Sequence, residues 1–325
     1  VQLAAKSDRP SDATGVKLNP LNKTITDNAI AYSTVSVEFD RDARIATVNI
    51  TGPDTAVPDD IAAVEKLGDQ FWPLLLAREL DDALLEIRFN ELEMAVVQFK
   101  SAGDPALVLA YDEFMNANAK NWLMRELLLY WRRVLKRVDL TSRTLAVMAE
   151  PGSCFAGTLA ELLFAADRSY MADGQFEGDN RPEATIALGP LNFGAYPMSN
   201  GITRLETRFL GEPEAVETAK SRQGETLDAA AASELGLVTF AFDDIDWEDE
   251  VRIFLEERAS FSPDALTGME ANLRFAGPET METRIFGRLT AWQNWILQRP
   301  NAVGADGALQ RYGSGKRADF NMERV

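Results

Sequence analysis

Near the middle of the chain, Glu150-Pro151-Gly152-Ser153-Cys154-Phe155-Ala156-Gly157-Thr158-Leu159-Ala160-Glu161 joins an extended apolar run to a helical one through a glycine-containing turn. N–H groups at such a helix start lack intrahelical acceptors and can stabilise a developing oxyanion. Glu161, one turn into the helix, has the chemistry and the place to move a proton on a bound substrate. The same pattern also describes a tight strand-to-helix connection in which Glu161 stabilises its own helix N-terminus, and spacing does not separate the two.

Composition narrows the chemistry further. The 325 residues contain no histidine, which excludes Ser-His-Asp triads, Cys-His dyads and HExxH zinc sites within this chain. Carboxylate acid/base work beside backbone amides remains. Cys154 is the only cysteine, so neither an internal disulfide nor a multi-thiolate metal site can form; with no histidine to activate it, it reads as buried filler. A net charge of −18, from 51 acidic and 33 basic side chains, repels phosphate backbones and anionic lipid, so nucleic acid and membrane are poor partners. An anionic small ligand would need a local basic patch. Arg132, Arg133, Lys136 and Arg137 form one, although cations there also suit a solvated helix C-terminus.

The elements that must hold this turn follow from periodicity. Residues 1–33, broken by Pro10, Gly15 and Pro20, read as a linker or extended arm. Val35, Val37 and Phe39 alternate with polar residues before Asp40-Arg41-Asp42, and the run 45–50 completes a β-hairpin. A helical pattern covers 59–89, with Trp72-Pro73 as a kink; 94–99 reads as a strand, 106–110 as a further short apolar run, and 112–138 as a second long helix. Further on, 145–149 is strand-like, 159–166 helical, 167–172 extended, 173–189 a polar loop, and 237–242 a strand candidate among the helices of 202–299. Phe286, Leu289, Trp292 and Trp295 have the spacing of a helix packed on a neighbour. Strands separated by helices of three or more turns predict parallel pairing through crossovers, hence an α/β fold: a core at 34–245 and a C-terminal helical region and tail at 246–325.

The first residues lack a signal-peptide layout and no apolar run is long enough to span a bilayer, so a cytoplasmic location is expected. The start at Val1 without an initiator methionine fits a processed chain or a part of a longer one, and the latter is expected.

The segment from Gly152 to Asp167 resembles the crotonase (enoyl-CoA hydratase/isomerase) stretch in which a glycine-rich turn precedes an E-L-A-x-x-x-D helix. Residues 191–205, LNFGAYPMSNGITRL, are similar to that family's L-G-x-x-P-x-x-G-G-x-x-R-L, and 315–320, GKRADF, to its terminal E-K-R-x-P-x-F. Over nearly the whole chain, EPGSCFAGTLAELLFAADRSYM, ERASFSPDALTGMEANLRFAGPETM and TRIFGRLTAWQNWILQRPNAVG resemble the C-terminal half of the ring-cleaving benzoyl-CoA lyases within that superfamily.

The resemblance implies a crotonase-like spiral of βαβ units. It also implies a lyase of aerobic benzoate breakdown that takes ring-epoxidised benzoyl-CoA and water to 3,4-dehydroadipyl-CoA semialdehyde and formate, with no redox cofactor or metal. Carried over by residue, Glu161 matches the first catalytic carboxylate, the N–H groups of Thr158 and Leu109 the oxyanion pair, and Lys316 and Arg317 a contact with CoA phosphate or another subunit. Two departures stand out. Thr158-Leu159 replaces the Gly-Gly before the glutamate, putting side chains where a thioester approaches. The second carboxylate has no match, since Pro190 holds the aligned position and Glu183 reaches it only across a gap. The implied partners are an acyl-CoA, an N-terminal crotonase-like half and further copies in a homo-oligomer; a degenerate half that shapes a cavity or builds the oligomer, or an ordinary hydratase using Glu161 alone, are the alternatives.

Overall fold

The computed structural model of the chain describes residues 2, 4–6 and 14–323. Its main sheet is built from β1 (Thr24–Ile25), β2 (Ala29–Ala31), β3 (Val35–Asp40), β4 (Ile45–Thr51), β5 (Val96–Ala102), β6 (Thr144–Ala149) and β7 (Arg168–Ala172). A small second sheet pairs β8 (Ile186–Ala187) with β9 (Thr226–Leu227), and β10 (Phe240–Phe242) closes the main sheet beside β7. The main order is β1-β2-β3-β4-β5-β6-β7-β10. The steps from β1 to β4 are antiparallel, and those from β4 through β10 are parallel. Each parallel step moves the chain one position in the same direction, so the crossovers wind into a spiral of βαβ units. All six residues of β6 are buried, as expected of a parallel strand covered on both faces.

The helices are α1 (Ile61–Leu67), α2 (Trp72–Asn90), α3 (Pro105–Ala117), α4 (Trp122–Asp139), α5 (Ala160–Ala165), α6 (Arg204–Arg208), α7 (Pro213–Ser221), α8 (Ala229–Glu234), α9 (Trp247–Ala259) and α10 (Pro263–Leu273). α2 packs on α4, where the buried Trp131 donates its indole N–H to Pro73 O at 3.0 Å. The Arg132–Arg137 patch is partly consumed here: Arg133 and Arg137 both reach Asp81 of α2 and tie the two helices together. Beyond α10 the chain runs through α11 (Met281–Thr283), a π-helical turn at Arg284–Leu289, α12 (Thr290–Ile296), α13 (Pro300–Val303) and α14 (Ala308–Arg311). The helical spacing of Trp292 is used as expected, its ring lying so close on Gly268 of α10 that a Cβ there would collide with the indole. Among the described residues no helix is long and apolar enough to cross a membrane.

Several sequence expectations need correction. The short apolar run 106–110, whose length alone assigns it no element, is helical: Asp104 caps the Ala106 N–H, Pro105 takes the first turn where a missing N–H costs nothing, and the run becomes part of α3. The helix expected over 112–138 is two helices, separated at 118–121 because Asn121 caps a new start at Leu123 and Met124. The pattern over 59–89 likewise breaks at Gly68, whose φ of 59° ends α1, while Pro73 sits harmlessly in the first turn of α2. Finally, the arm before residue 34 joins the fold, since β1 and β2 extend the sheet and the Asn19 amide donates to Asp69 at 2.6 Å.

Candidate functional site

The turn after β6 does what the sequence suggests: Gly152 and Gly157 take positive φ (77° and 48°), a 3₁₀ turn covers Gly157–Leu159, and α5 starts with Glu161 in its first turn. The Thr158 donors there are already paired, while the buried Ser153 hydroxyl has no hydrogen-bond partner among the described residues. The Thr158 N–H donates to Asp112 Oδ2 of α3 at 2.5 Å, and the Thr158 hydroxyl to Asp112 Oδ1 at 2.7 Å. That hydroxyl also lies 3.0 Å from the Tyr196 phenol. A carboxylate of the chain itself thus holds the amide expected to receive a thioester oxygen. The approach is so close that a Cβ on Gly157 would collide with Asp112 Oδ2.

Leu109 lies in the second turn of α3, where its N–H points along the helix into the i−4 ladder, so it does not join the Thr158 N–H in an oxyanion pair. Its side chain instead packs toward Gly157 and Gly189. Glu161 is 2% exposed. Its Oε1 accepts from Asn192 Nδ2 at 2.7 Å and its Oε2 from Arg204 at 2.9 Å. Arg204, 1% exposed, then forks onto Asp139 at 2.9 and 2.6 Å and donates to Tyr196 O at 3.1 Å. Asn192 completes the knot by donating to Gly157 O and accepting from Gly189 N–H.

Burial sets the electrostatics. It pushes the Asp112 carboxyl up to about 7, against the two Thr158 hydrogen bonds and with help from the Glu161 charge. Burial likewise raises the carboxyls of Glu161 and Asp139 despite the Arg204 charge. For Arg204 burial pulls downward, but Asp139 and Glu161 outweigh it and hold the guanidinium above its usual value. Burial drives the Tyr196 phenol well above its ordinary range, with Asp112 adding to it.

The remaining sequence candidates lie elsewhere. Pro190 begins a 3₁₀ turn, Glu183 is exposed in the preceding loop, and neither supplies a carboxylate beside Glu161. Lys316 and Arg317 are exposed beyond α14, with no hydrogen bond or ion pair from either side chain to Glu161, Thr158 or Leu109. The buried Cys154 thiol, pushed up to about 11 by burial, packs against Gly52 and Gly103 as filler. Among the described residues no group of three or more His, Cys, Asp or Glu could hold a metal ion. Asp112, Asp139, Asn192, Tyr196 and Arg204 were not expected as members of this cluster. Arg204 and Asn192 stand in the 191–205 motif, but nothing local marks Asp112 or Asp139.

The arrangement clamps α3, α4, α5 and α6 around the turn. Both Thr158 donors are taken by Asp112, and Glu161 has no unengaged carboxylate oxygen. Because Gly157 combines a positive φ with the Asp112 contact, Gly157→Ala is expected to lower stability by about 2 kcal/mol or more. Chemical denaturation would measure it, and an unchanged midpoint would contradict the packing described.

No family profile matches the chain. Over 323 residues, 99% of its length, it is 50% identical to the benzoyl-CoA-dihydrodiol lyase of Aromatoleum evansii, of which it spans 57%. Its fold superposes on an enoyl-CoA hydratase of Geobacillus kaustophilus with a TM-score of 0.63 at 18% identity, covering 90% of this chain and 98% of the other. For the enoyl-CoA hydratase of Bacillus anthracis the TM-score is 0.61 at 18% identity, covering 90% and 100%. The chain therefore has the crotonase fold, and in sequence it is similar along nearly its whole length to a little over half of benzoyl-CoA-dihydrodiol lyase.

Proposed function

We propose that this chain is the C-terminal, frame-forming portion of a ring-cleaving lyase that acts on a CoA thioester of the benzoyl-CoA-dihydrodiol class. The enzyme would convert ring-epoxidised benzoyl-CoA and water to 3,4-dehydroadipyl-CoA semialdehyde and formate, with the acid/base residues supplied by the rest of the enzyme. The likeness to benzoyl-CoA-dihydrodiol lyase supports the substrate class. The observation that carries the frame role is the Asp112 carboxyl group seated on the Thr158 N–H, because its Oδ2 takes the donor and the place that a thioester oxygen would need. Glu161, with both oxygens engaged, serves in this reading as a buried strut between Asn192 and Arg204.

Two measurements test it. Calorimetric titration of the chain with the benzoyl thioester of pantetheine, which carries no phosphate, is expected to show no saturable binding, while the whole enzyme binds it. In the whole enzyme Glu161→Gln is expected to leave kcat within about threefold of the parent once folding is verified, whereas a general acid or base would lose about a hundredfold or more. A loss of that size, or tight binding by the chain alone, would restore the competing hydratase-like reading with Glu161 as a working carboxylate.

A further inference from the structure

On the far side of α5 from the turn, a cavity of about 310 Å³ opens between α6, α9 and α10. Four arginines line it, Arg204, Arg208, Arg258 and Arg274, against two carboxylates, Asp167 and Glu270. The carboxylates face Arg274, which donates to Asp167 at 3.1 and 2.7 Å and lies 3.5 Å from Glu270 Oε1. Arg204 is likewise occupied, by Asp139 and Glu161 behind the wall.

Arg208 and Arg258 differ. Arg208 donates only its Nε, to Gly236 O at 2.6 Å, and no carboxylate pairs with it among the described residues. Arg258 donates its Nε to Thr144 Oγ1 at 2.9 Å and stacks over the Phe261 ring at 5.0 Å. Asp167 and Glu270 act on Arg258 through charge alone, opposed by Arg168 and Arg274. Each of the two guanidinium groups therefore keeps its terminal NH₂ pair without a protein acceptor at the cavity wall. Burial pulls both below their usual pKa, as for cations short of counter-charge. A paired NH₂ fork fits the two oxygens of a carboxylate or phosphate, and a partly desolvated one gains most from such a partner.

We propose that this cavity is a binding site for a small oxyanion, a carboxylate or phosphate group held by Arg208 and Arg258. Phe164, Met269 and Leu273 supply an apolar wall for whatever carries that group. In a chain of net charge −18, two cations lacking bonded carboxylate partners at one cavity are a local departure from the overall acidity. The proposal does not depend on the acyl-CoA reading, because the cavity is separate from the Thr158 turn.

Calorimetric titration of the chain at low salt with inorganic phosphate, and separately with benzoate as a carboxylate on an apolar body, tests it. Saturable binding of at least one probe is expected, weakening as sodium chloride is raised. Tighter phosphate binding would identify a phosphate-bearing ligand, and tighter benzoate binding a carboxylate that also uses the apolar wall. Arg208→Gln and Arg258→Gln, each checked for folding by circular dichroism, are expected to weaken binding by about tenfold. Arg252→Gln, on the exposed face of α9, is expected to leave it unchanged. No binding of either probe at millimolar concentration would overturn the proposal. So would binding that survives both cavity substitutions or falls equally with Arg252→Gln. If one cavity variant does not fold, the other and the salt dependence of the parent chain decide the question.

Discussion

Arg204→Met is expected to destabilise the folded chain by about 3–5 kcal/mol, enough to bring a domain of ordinary stability close to its threshold. The substitution retains most of the side-chain volume but removes a cation bonded to both Asp139 and Glu161, which are 1% and 2% exposed. Two carboxylates then face each other in a medium of low polarity with no bonded cation, the remaining positive charge acting on Asp139 being that of Arg274 and Lys136. One must be protonated or the α4–α5–α6 junction must open.

The sign of the pH effect follows. Burial already raises both carboxyls in the native state, and loss of Arg204 raises them further, so the folded variant binds more protons than the unfolded chain at neutral pH. Its deficit relative to the parent is therefore largest above the ordinary carboxylate range and shrinks as pH falls through the raised folded-state values. Urea denaturation of both proteins at pH 7.5 and pH 5 measures this. A deficit below about 1 kcal/mol, or one that grows on acidification, would contradict a buried three-residue ion network. Combining Arg204→Met with Asp139→Asn and Glu161→Gln should recover much of the loss, because a neutral cluster leaves no buried charge unpaired.

Asp112 should produce the second large effect. Its folded-state pKa of about 7 stands above the ordinary 3.8, so between those values the folded chain keeps a proton that the unfolded chain gives up. The contribution is absent below about pH 4, and stability falls as pH rises toward about 7, by a total of about 4 kcal/mol. The groups acting on Asp112 are the Thr158 N–H and hydroxyl, which favour the anion, and the Glu161 and Glu113 charges, which oppose it. Asp112→Asn keeps an oxygen for the Thr158 N–H and removes the titration. The difference in stability between variant and parent should therefore move in favour of the variant by about 3 kcal/mol between pH 4.5 and pH 8. Taking the difference cancels the other carboxylates, whose own titration shapes both curves. Parallel curves for the two proteins would show that Asp112 does not titrate in this range. A variant that also gained benzoyl-CoA binding would show that the carboxylate is what closes the Thr158 site.

Much of the frame was legible from residues 35 onward. The hairpin of β3 and β4, the apolar runs that became β5 and β6, and the Gly152–Glu161 turn were all visible because each depends on neighbours a few positions away. Local chemistry also explains the misread parts after the fact: Asp104-Pro105 and Asn121 start helices by capping, and Gly68 ends one by taking a positive φ. Those signals compete with the apolar runs around them, and in 106–110 the cap prevailed over a pattern too short to choose between strand and helix.

The sequence by itself determined which chemistry this chain can use. Without histidine and with one cysteine, imidazole and multi-thiolate chemistry are closed to it, and the glycine turn puts Glu161 at a helix start. Only the tertiary structure decided whether its polar groups face a ligand or one another. Asp112 meets Thr158 across 46 positions, Arg204 meets Glu161 across 43 and Asp139 across 65, and no local pattern encodes such meetings. They arise when the crossovers stack α3, α4, α5 and α6 around one turn. Each buried polar group must then find its partner within that space, and here the partners are other residues of the chain.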